Sequence, residues 1–247
     1  MSATSESVNA YANLANVALF VELLERVTSR HSDLPGLGVF YGWAGLGKTR
    51  SATKAAHIHH AYYVEVGESW TKAKFCKALL IELGLEAKAK GTVADMIDAI
   101  VISLMHTSRP LIIDEFDHIV RRGYVETIRE IHDKSGAPIV LIGEEQLPFK
   151  LQQWERFHSR ILDWVAAQPC DAHDVLALAP IYAPGIALAD DMVQLLLTRT
   201  KGYTRRVAVN LARVAEVAML EGWTAIDAKT WGNRPLYTGD APTRRIV

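Results

Sequence analysis

The fold is decided by the stretch Gly42-Trp43-Ala44-Gly45-Leu46-Gly47-Lys48-Thr49, a complete G-x-x-x-x-G-K-[ST] phosphate-binding loop. The apolar run at residues 37–41 before it is typical of a short buried strand, and residues 50–60 after it are rich in Ala and Lys, as a helix would be. Because the motif is functional only between a strand and a helix, this context predicts a working phosphate loop.

Each part of the loop has an expected role in binding a nucleotide. The glycines let successive backbone N–H groups point at phosphate oxygens, and the helix that follows adds partial positive charge. Lys48 is expected to reach the β- and γ-phosphates, and Thr49 to offer its hydroxyl to Mg²⁺. We count the whole loop and the adjacent Arg50 as the predicted contacts of ATP.

Composition limits the classes of protein that the chain can belong to. It has 247 residues, of which 49% are hydrophobic and 22% charged, and its formal net charge is −1. No global basic field attracts nucleic acid, so any DNA contact must come from a local patch. The two cysteines have no metal-ligand spacing, residues 1–6 do not resemble a signal peptide, and no apolar run reaches the about 18 residues of a membrane span. We therefore expect a cytoplasmic protein without a membrane partner.

Strand-like and helix-like runs alternate through the first three quarters of the chain. This alternation predicts an α/β fold with a mostly parallel five-stranded sheet covered on both faces. After residue 184 the pattern is helical only, so we expect a nucleotide-binding core at 1–183, with an N-terminal helix at 14–30, and a helical lid at 184–247. The strands are expected at residues 37–41, 61–66, 111–113, 139–143 and 175–178.

A second motif completes the predicted catalytic site. The apolar run at residues 111–113 ends in Asp114 and Glu115, as expected of the acidic strand that accompanies a phosphate loop. Asp114 would hold Mg²⁺ through its water shell. Glu115 would polarise the attacking water, which indicates hydrolysis rather than transfer to another acceptor.

The order and spacing of these parts resemble the AAA+ ATPases. Within them the chain is most similar to the B transposition proteins of Mu-like transposable phages and related transposon ATPases. The phrases that carry this finer resemblance are Ile112-Ile113-Asp114-Glu115-Phe116-Asp117 and Gly143-Glu144-Glu145-Gln146-Leu147.

The resemblance implies further catalytic residues. Arg160, with Arg156 as the second choice, lies where the family places an arginine finger that reaches the γ-phosphate of a neighbouring subunit. Glu144 occupies the position of a polar sensor after the fourth strand. Arg205 starts a lid helix, as does the family's nucleotide-sensing arginine.

The resemblance also implies partners. ATP would drive assembly of copies of this chain into a ring or filament on double-stranded DNA, which would recruit and stimulate a transposase in the cytoplasm of a bacterial host if the chain is phage-encoded. The expected DNA contacts are Lys72 and Lys74, after the second strand, and Arg121 and Arg122, after the acidic strand. None of the four offers clear base readout, so little sequence preference is expected.

Two other interpretations remain open from the sequence. The chain could be an AAA+ ATPase that acts on a protein client in secretion or signalling, or a DNA-independent scaffold that binds a nucleotide. Glu115 argues against the scaffold, because a scaffold has no need of a water-activating acid.

Overall fold

The computed structural model describes residues 14–240, which form two compact units that divide between Gln168 and Pro169. We call residues 16–168 the core unit, and the described residues 14–15 and 169–240 the helical unit. The expectation about a signal peptide concerns residues 1–6, which lie outside the described residues.

The core unit is built on a parallel five-stranded sheet of order β2-β3-β4-β1-β5. This arrangement confirms the predicted fold class. The strands are β1 Leu37–Tyr41, β2 Tyr62–Glu65, β3 Leu111–Asp114, β4 Ile139–Gly143 and β5 Ile161–Ala166.

The three central strands explain why the sequence pattern was clear. Every residue of β3 and β4 is buried, and so are four of the five in β1. Strands covered on both faces read as continuous apolar runs rather than alternating ones. Asp114, at the end of β3, is therefore a buried acid in an apolar strand.

The core unit has eight α-helices, and apolar residues of the last six pack with the strands in one hydrophobic core. A Thr92–Asp95 capping box begins the fourth helix, as the sequence suggests. The helices are α1 Ala15–Thr28, α2 Lys48–Ile58, α3 Lys72–Glu82, α4 Val93–Thr107, α5 Asp117–Arg122, α6 Val125–Ser135, α7 Leu147–Leu151 and α8 Glu155–His158.

The helical unit has its own hydrophobic core, which includes Val175, Leu196, Leu211 and Trp231. Two short strands pair in parallel between its helices. Its elements are α9 Ala172–Tyr182, β6 Ala187–Leu188, α10 Asp190–Thr200, α11 Thr204–Glu221, β7 Ala225–Ile226 and α12 Ala228–Trp231.

The strand predicted at residues 175–178 is wrong, because these residues lie in α9. A capping box of Asp171 and Asp174 starts the helix, and the apolar run is simply its buried face. The fifth strand is β5, whose pattern is interrupted by Asp163. That carboxylate lies at the sheet edge and pairs with Arg26 at 2.6 Å, so its charge did not prevent a strand.

The change from strand to helix also moves the boundary between the units. The sequence pattern predicts this boundary after residue 183, whereas the contacts of the chain place it after Gln168, because α9 packs on α10 and α11.

Within residues 14–240, no helix is long and apolar enough to cross a lipid bilayer.

Candidate nucleotide-binding site

The phosphate loop connects β1 to α2, as its motif requires. Gly45 and Gly47 have φ angles of 90° and 85°, in the left-handed region that glycine adopts without strain. Their positions explain the need for glycine in this motif. The Asn16 side chain donates to the Leu46 carbonyl oxygen at 2.8 Å and so ties the loop to α1. Sequence reasoning gave Asn16 no role.

Lys48 lies against the loop that precedes it. Its Nζ donates to the carbonyl oxygens of Gly42 at 2.6 Å and of Trp43 at 3.0 Å. Burial lowers the pKa of Lys48, while the negative charges of Asp114, Glu115 and other nearby acids act in the opposite direction. A phosphate group would supply the compensating anion that the loop carbonyl groups only partly provide.

The other predicted contacts in the loop differ in exposure. Gly42 and Leu46 are buried and form the base of the loop, while Gly45 and Gly47 are partly buried. Trp43 is 57% exposed, which is unusual for so large an apolar side chain. Solvent also reaches the remaining predicted contacts, Ala44, Thr49 and Arg50.

Asp114 is held by hydrogen bonds to both of its carboxylate oxygens. It is 2% exposed; Oδ1 accepts from the Glu115 N–H at 2.7 Å, and Oδ2 accepts from the Tyr63 hydroxyl at 2.8 Å. These donors offset the free-energy cost of burying a carboxylate. Tyr63 was not among the residues that sequence reasoning singled out, since a bond between strands depends on their register.

Glu115 has a strained backbone and a perturbed carboxyl group. Its φ angle of 55° lies in the left-handed region, which costs a residue with a side chain about 1–2 kcal/mol. Burial, and next the neighbouring Asp114 charge, raise the pKa of Glu115. Strained, pKa-perturbed acids of this kind are common at catalytic sites.

Asp117 connects the ends of β3 and β4. It is 9% exposed; its Oδ2 accepts from the Glu144 N–H at 2.7 Å, and its Oδ1 accepts from Lys150 Nζ at 2.7 Å. The predicted sensor Glu144 is thus fixed through its backbone, while its exposed carboxylate lies 4.0 Å from Lys150. Asp117 and Lys150 were missed, although Asp117 stands within the quoted acidic motif.

The oxygen donors of this site suit Mg²⁺. Carboxylate and hydroxyl oxygens, as offered by Asp114 and Thr49, are the hard ligands that Mg²⁺ prefers, together with substrate phosphates. The hydrogen bonds to Asp114 leave lone pairs on each oxygen, so the carboxylate can still accept from metal-bound water. When bound, Mg²⁺ would neutralise charge on the phosphates.

Comparisons with known proteins agree with this arrangement. The AAA domain family model matches residues 31–151, a segment that contains the phosphate loop, Asp114, Glu115 and Glu144. The fold is that of an AAA+ P-loop ATPase core. A search of curated proteins found no match.

Solved structures of archaeal proteins share the fold of the AAA+ core. The Orc1 protein of Aeropyrum pernix, in complex with DNA, is 20% identical with a TM-score of 0.59, and the alignment covers 87% of this chain and 62% of that one. The Cdc6p protein of Pyrobaculum aerophilum is 16% identical with a TM-score of 0.63, over 89% of this chain and 66% of that one. The Orc2 protein of Aeropyrum pernix, in an ADP form, is 16% identical with a TM-score of 0.57, over 87% and 65%. This chain therefore spans just under two thirds of each, and identities this low indicate fold alone.

The predicted finger residues lie away from the phosphate loop of the AAA+ core. The Arg160 carbonyl oxygen accepts from the Leu37 N–H at 3.0 Å, at the start of β1, whereas the loop follows the end of that strand. The Arg160 side chain pairs with Asp133 at 2.8 Å. Arg156 is exposed on α8, which is anchored by the fully buried Phe157. Neither arginine lies at the end of β1 that leads into the phosphate loop and Lys48 of its own chain.

The predicted nucleotide sensor of the helical unit, Arg205, differs in its surroundings from the neighbouring Arg206. The Arg206 guanidinium lies 4.4 Å from the centre of the Tyr203 ring, whereas Arg205 is exposed in the first turn of α11. Among the described residues, Arg205 has no side-chain hydrogen bond or ion pair, so its charge is available to an anion.

The expected DNA contacts of the AAA+ core lie in helix ends rather than in loops: Lys72 and Lys74 in the first turn of α3, and Arg121 and Arg122 in the last turn of α5. Arg122 donates to the Glu68 carbonyl oxygen at 3.0 Å, and Arg121 pairs with the Glu68 carboxylate at 3.1 Å. Lys74 Nζ lies 5.5 Å from the centre of the Trp70 ring, and Trp70 itself packs on the hydrophobic core. We call the surface formed by Lys72, Lys74, Arg121 and Arg122 the basic surface.

Proposed function

We propose that this chain is a Mg²⁺-dependent ATPase that binds double-stranded DNA with little sequence preference. In the ATP state its copies assemble as a ring or filament on DNA and activate a transposase. The observation that carries the DNA part is the basic surface. Lys72 and Lys74 lie in the first turn of α3, and Arg121 and Arg122 lie in the last turn of α5, where both arginines contact Glu68.

We assign the following roles to the catalytic residues. Lys48 and the N–H groups of the loop bind the phosphates, and Thr49 and Asp114 hold Mg²⁺. Glu115 accepts a proton from the attacking water. Glu144 lies beside the same site and orients water, since its ionised carboxylate accepts hydrogen bonds but donates none.

The hydrolysis step acts as a timer for assembly. A finger arginine from one copy completes the site of the next, so ATP-bound copies associate and ADP-bound copies leave. Arg156 and Arg160 both lie away from the phosphate loop of their own chain, which supports a contact with the nucleotide of another copy. Arg160 pairs with Asp133 at 2.8 Å, which favours Arg156 as the finger.

The transposition context rests on the sequence resemblance, chiefly the phrases at residues 112–117 and 143–147. It predicts that a cognate transposase joins the protein on DNA when ATP is present and not when ADP replaces it. Co-sedimentation of the three components in the two nucleotide states tests this step. Equal binding of the transposase with ATP and with ADP would count against this step.

The basic surface can be tested with paired lysine variants. We expect the K72A/K74A double variant to weaken binding of a random-sequence duplex and to lower the slope of log K against log salt by about 2, since each phosphate contact contributes about 0.9. The K88A/K90A variant removes two exposed lysines elsewhere in the core unit and controls for net charge. Equal losses in both variants would refute the assignment.

A further inference from the structure

Tyr63 occupies a special place beside the acidic strand. It lies on β2, which pairs in parallel with β3, and its register partner is Ile112. From there its hydroxyl reaches two residues along the neighbouring strand and donates to Asp114 Oδ2 at 2.8 Å. The side chain therefore crosses from the edge strand to the predicted metal-binding acid.

The other oxygen of Asp114 is held from its own strand end. Asp114 is 2% exposed, and its Oδ1 accepts from the Glu115 N–H at 2.7 Å. The Tyr63 hydroxyl therefore holds the second oxygen of this buried carboxylate from the neighbouring strand.

The geometry points to Tyr63 as a positioning residue for the metal site: its hydroxyl fixes the Asp114 carboxylate in the orientation that binds Mg²⁺ with a nucleotide. Residues that orient a metal ligand from behind typically change metal affinity by about 10–100-fold when they are removed. The inference rests on the proposed Mg²⁺-dependent ATP binding and is independent of DNA.

The chain offers a matched control in the adjacent tyrosine. Successive side chains of a strand point to opposite faces of the sheet, so Tyr62 and Tyr63 face opposite sides. Tyr62 is buried and its ring is covered by the Arg109 guanidinium at 3.9 Å, with no contact to Asp114. Y62F and Y63F each remove one phenolic oxygen and keep the ring.

The test measures Mn²⁺ binding to the protein–ADP complex by electron paramagnetic resonance, with ADP affinity measured separately in EDTA. We expect Y63F to weaken Mn²⁺ binding at least about 10-fold and to leave ADP affinity in EDTA unchanged. The Mg²⁺ concentration for half-maximal hydrolysis should rise by a similar factor, with kcat restored at saturating Mg²⁺. Y62F should match the wild type in all three.

Two outcomes would overturn the inference. Mn²⁺ affinity of Y63F equal to that of Y62F would show that the hydroxyl does not position the metal site. A loss of ADP affinity in EDTA as large as the loss of Mn²⁺ affinity would show that Tyr63 supports the whole loop instead. Failure of the wild-type protein to bind ADP would refute the proposed function itself, which these variants do not address.

Discussion

Arg160 and Asp133 form an ion pair in which the guanidinium Nε lies 2.8 Å from the carboxylate Oδ1. Arg129 pairs with the same carboxylate at 2.7 Å. Burial of Asp133 opposes its charge, yet the hydrogen bonds and charges of the two arginines hold its pKa below the usual value. Arg160 is therefore engaged within its own chain, whereas the Arg156 side chain has no hydrogen bond or ion pair among the described residues.

This difference leads to a prediction about the arginine finger. The sequence favours Arg160, but the structure leaves Arg156 freer to reach a neighbouring copy. We expect R156A to bind ATP normally and to lose about 10³-fold or more of the hydrolysis rate measured in the assembled state. R160A should change the free energy of unfolding by less than about 1 kcal/mol, since its ion pair is partly exposed. Wild-type hydrolysis by R156A, together with an inactive R160A, would return the assignment to Arg160.

Glu115 should be the base of the hydrolysis step. We expect E115Q to keep ATP binding and to lower kcat by about 10²–10⁴-fold, because the amide cannot accept the proton of the attacking water. E65Q, at the exposed end of β2, is the control. Single-turnover hydrolysis of pre-bound ATP is the suitable measurement, since it excludes product release. A rate for E115Q close to that of E65Q would remove Glu115 from the mechanism.

Glu68 should oppose DNA binding, because its carboxylate pairs with Arg121 on the basic surface. We expect E68Q to bind a random-sequence duplex several-fold more tightly, with a salt slope steeper by up to about 1, since Arg121 becomes free to contact phosphate. Fluorescence anisotropy at two salt concentrations measures both quantities, with E86Q as the control for the lost charge. Weaker binding by E68Q would mean that Glu68 organises the loops more than it competes with DNA.

His132 should make stability depend on pH. It is 6% exposed, its Nδ1 lies 2.8 Å from the Ala137 carbonyl oxygen, and burial lowers its pKa. As the pH falls, His132 is therefore protonated in the unfolded chain before it is protonated in the folded protein. Its contribution to the free energy of unfolding is fully present above about pH 6.5 and declines below that pH, by at most about 1.4 kcal/mol per pH unit. Thermal unfolding from about pH 7 to about pH 5 should show a smaller decline in H132Q, while the exposed control H106Q keeps the wild-type decline. Identical declines in all three proteins would contradict this assignment.

The sequence predicted the central sheet because its strands are continuous apolar runs, and the phosphate loop because its motif is local. It missed β5 because Asp163 interrupts the apolar pattern, although Arg26, far away in the chain, pairs with it. It read the start of α9 as a strand because four apolar residues in a row have no clear period, while the capping box at Asp171 was overlooked.

The contacts that define the site could not be predicted from the sequence, for a related reason. The bond from Tyr63 to Asp114 depends on the register of two strands, and the bonds of Asp117 depend on how β3 and β4 end side by side. Such pairings are set by the tertiary fold rather than by spacing along the chain. Local motifs therefore predicted the residues expected to bind ATP and Mg²⁺, whereas the residues that hold them in place became visible only in the structure.

The central claim is that DNA and ATP hydrolysis are coupled in this protein. The most direct test compares ATP hydrolysis with and without random-sequence double-stranded DNA, and sediments the same mixtures. We expect DNA to stimulate hydrolysis, and we expect large assemblies to form on DNA with ATP and to disperse with ADP. Hydrolysis that is indifferent to DNA, without ATP-dependent assemblies, would contradict it and direct attention to a protein client.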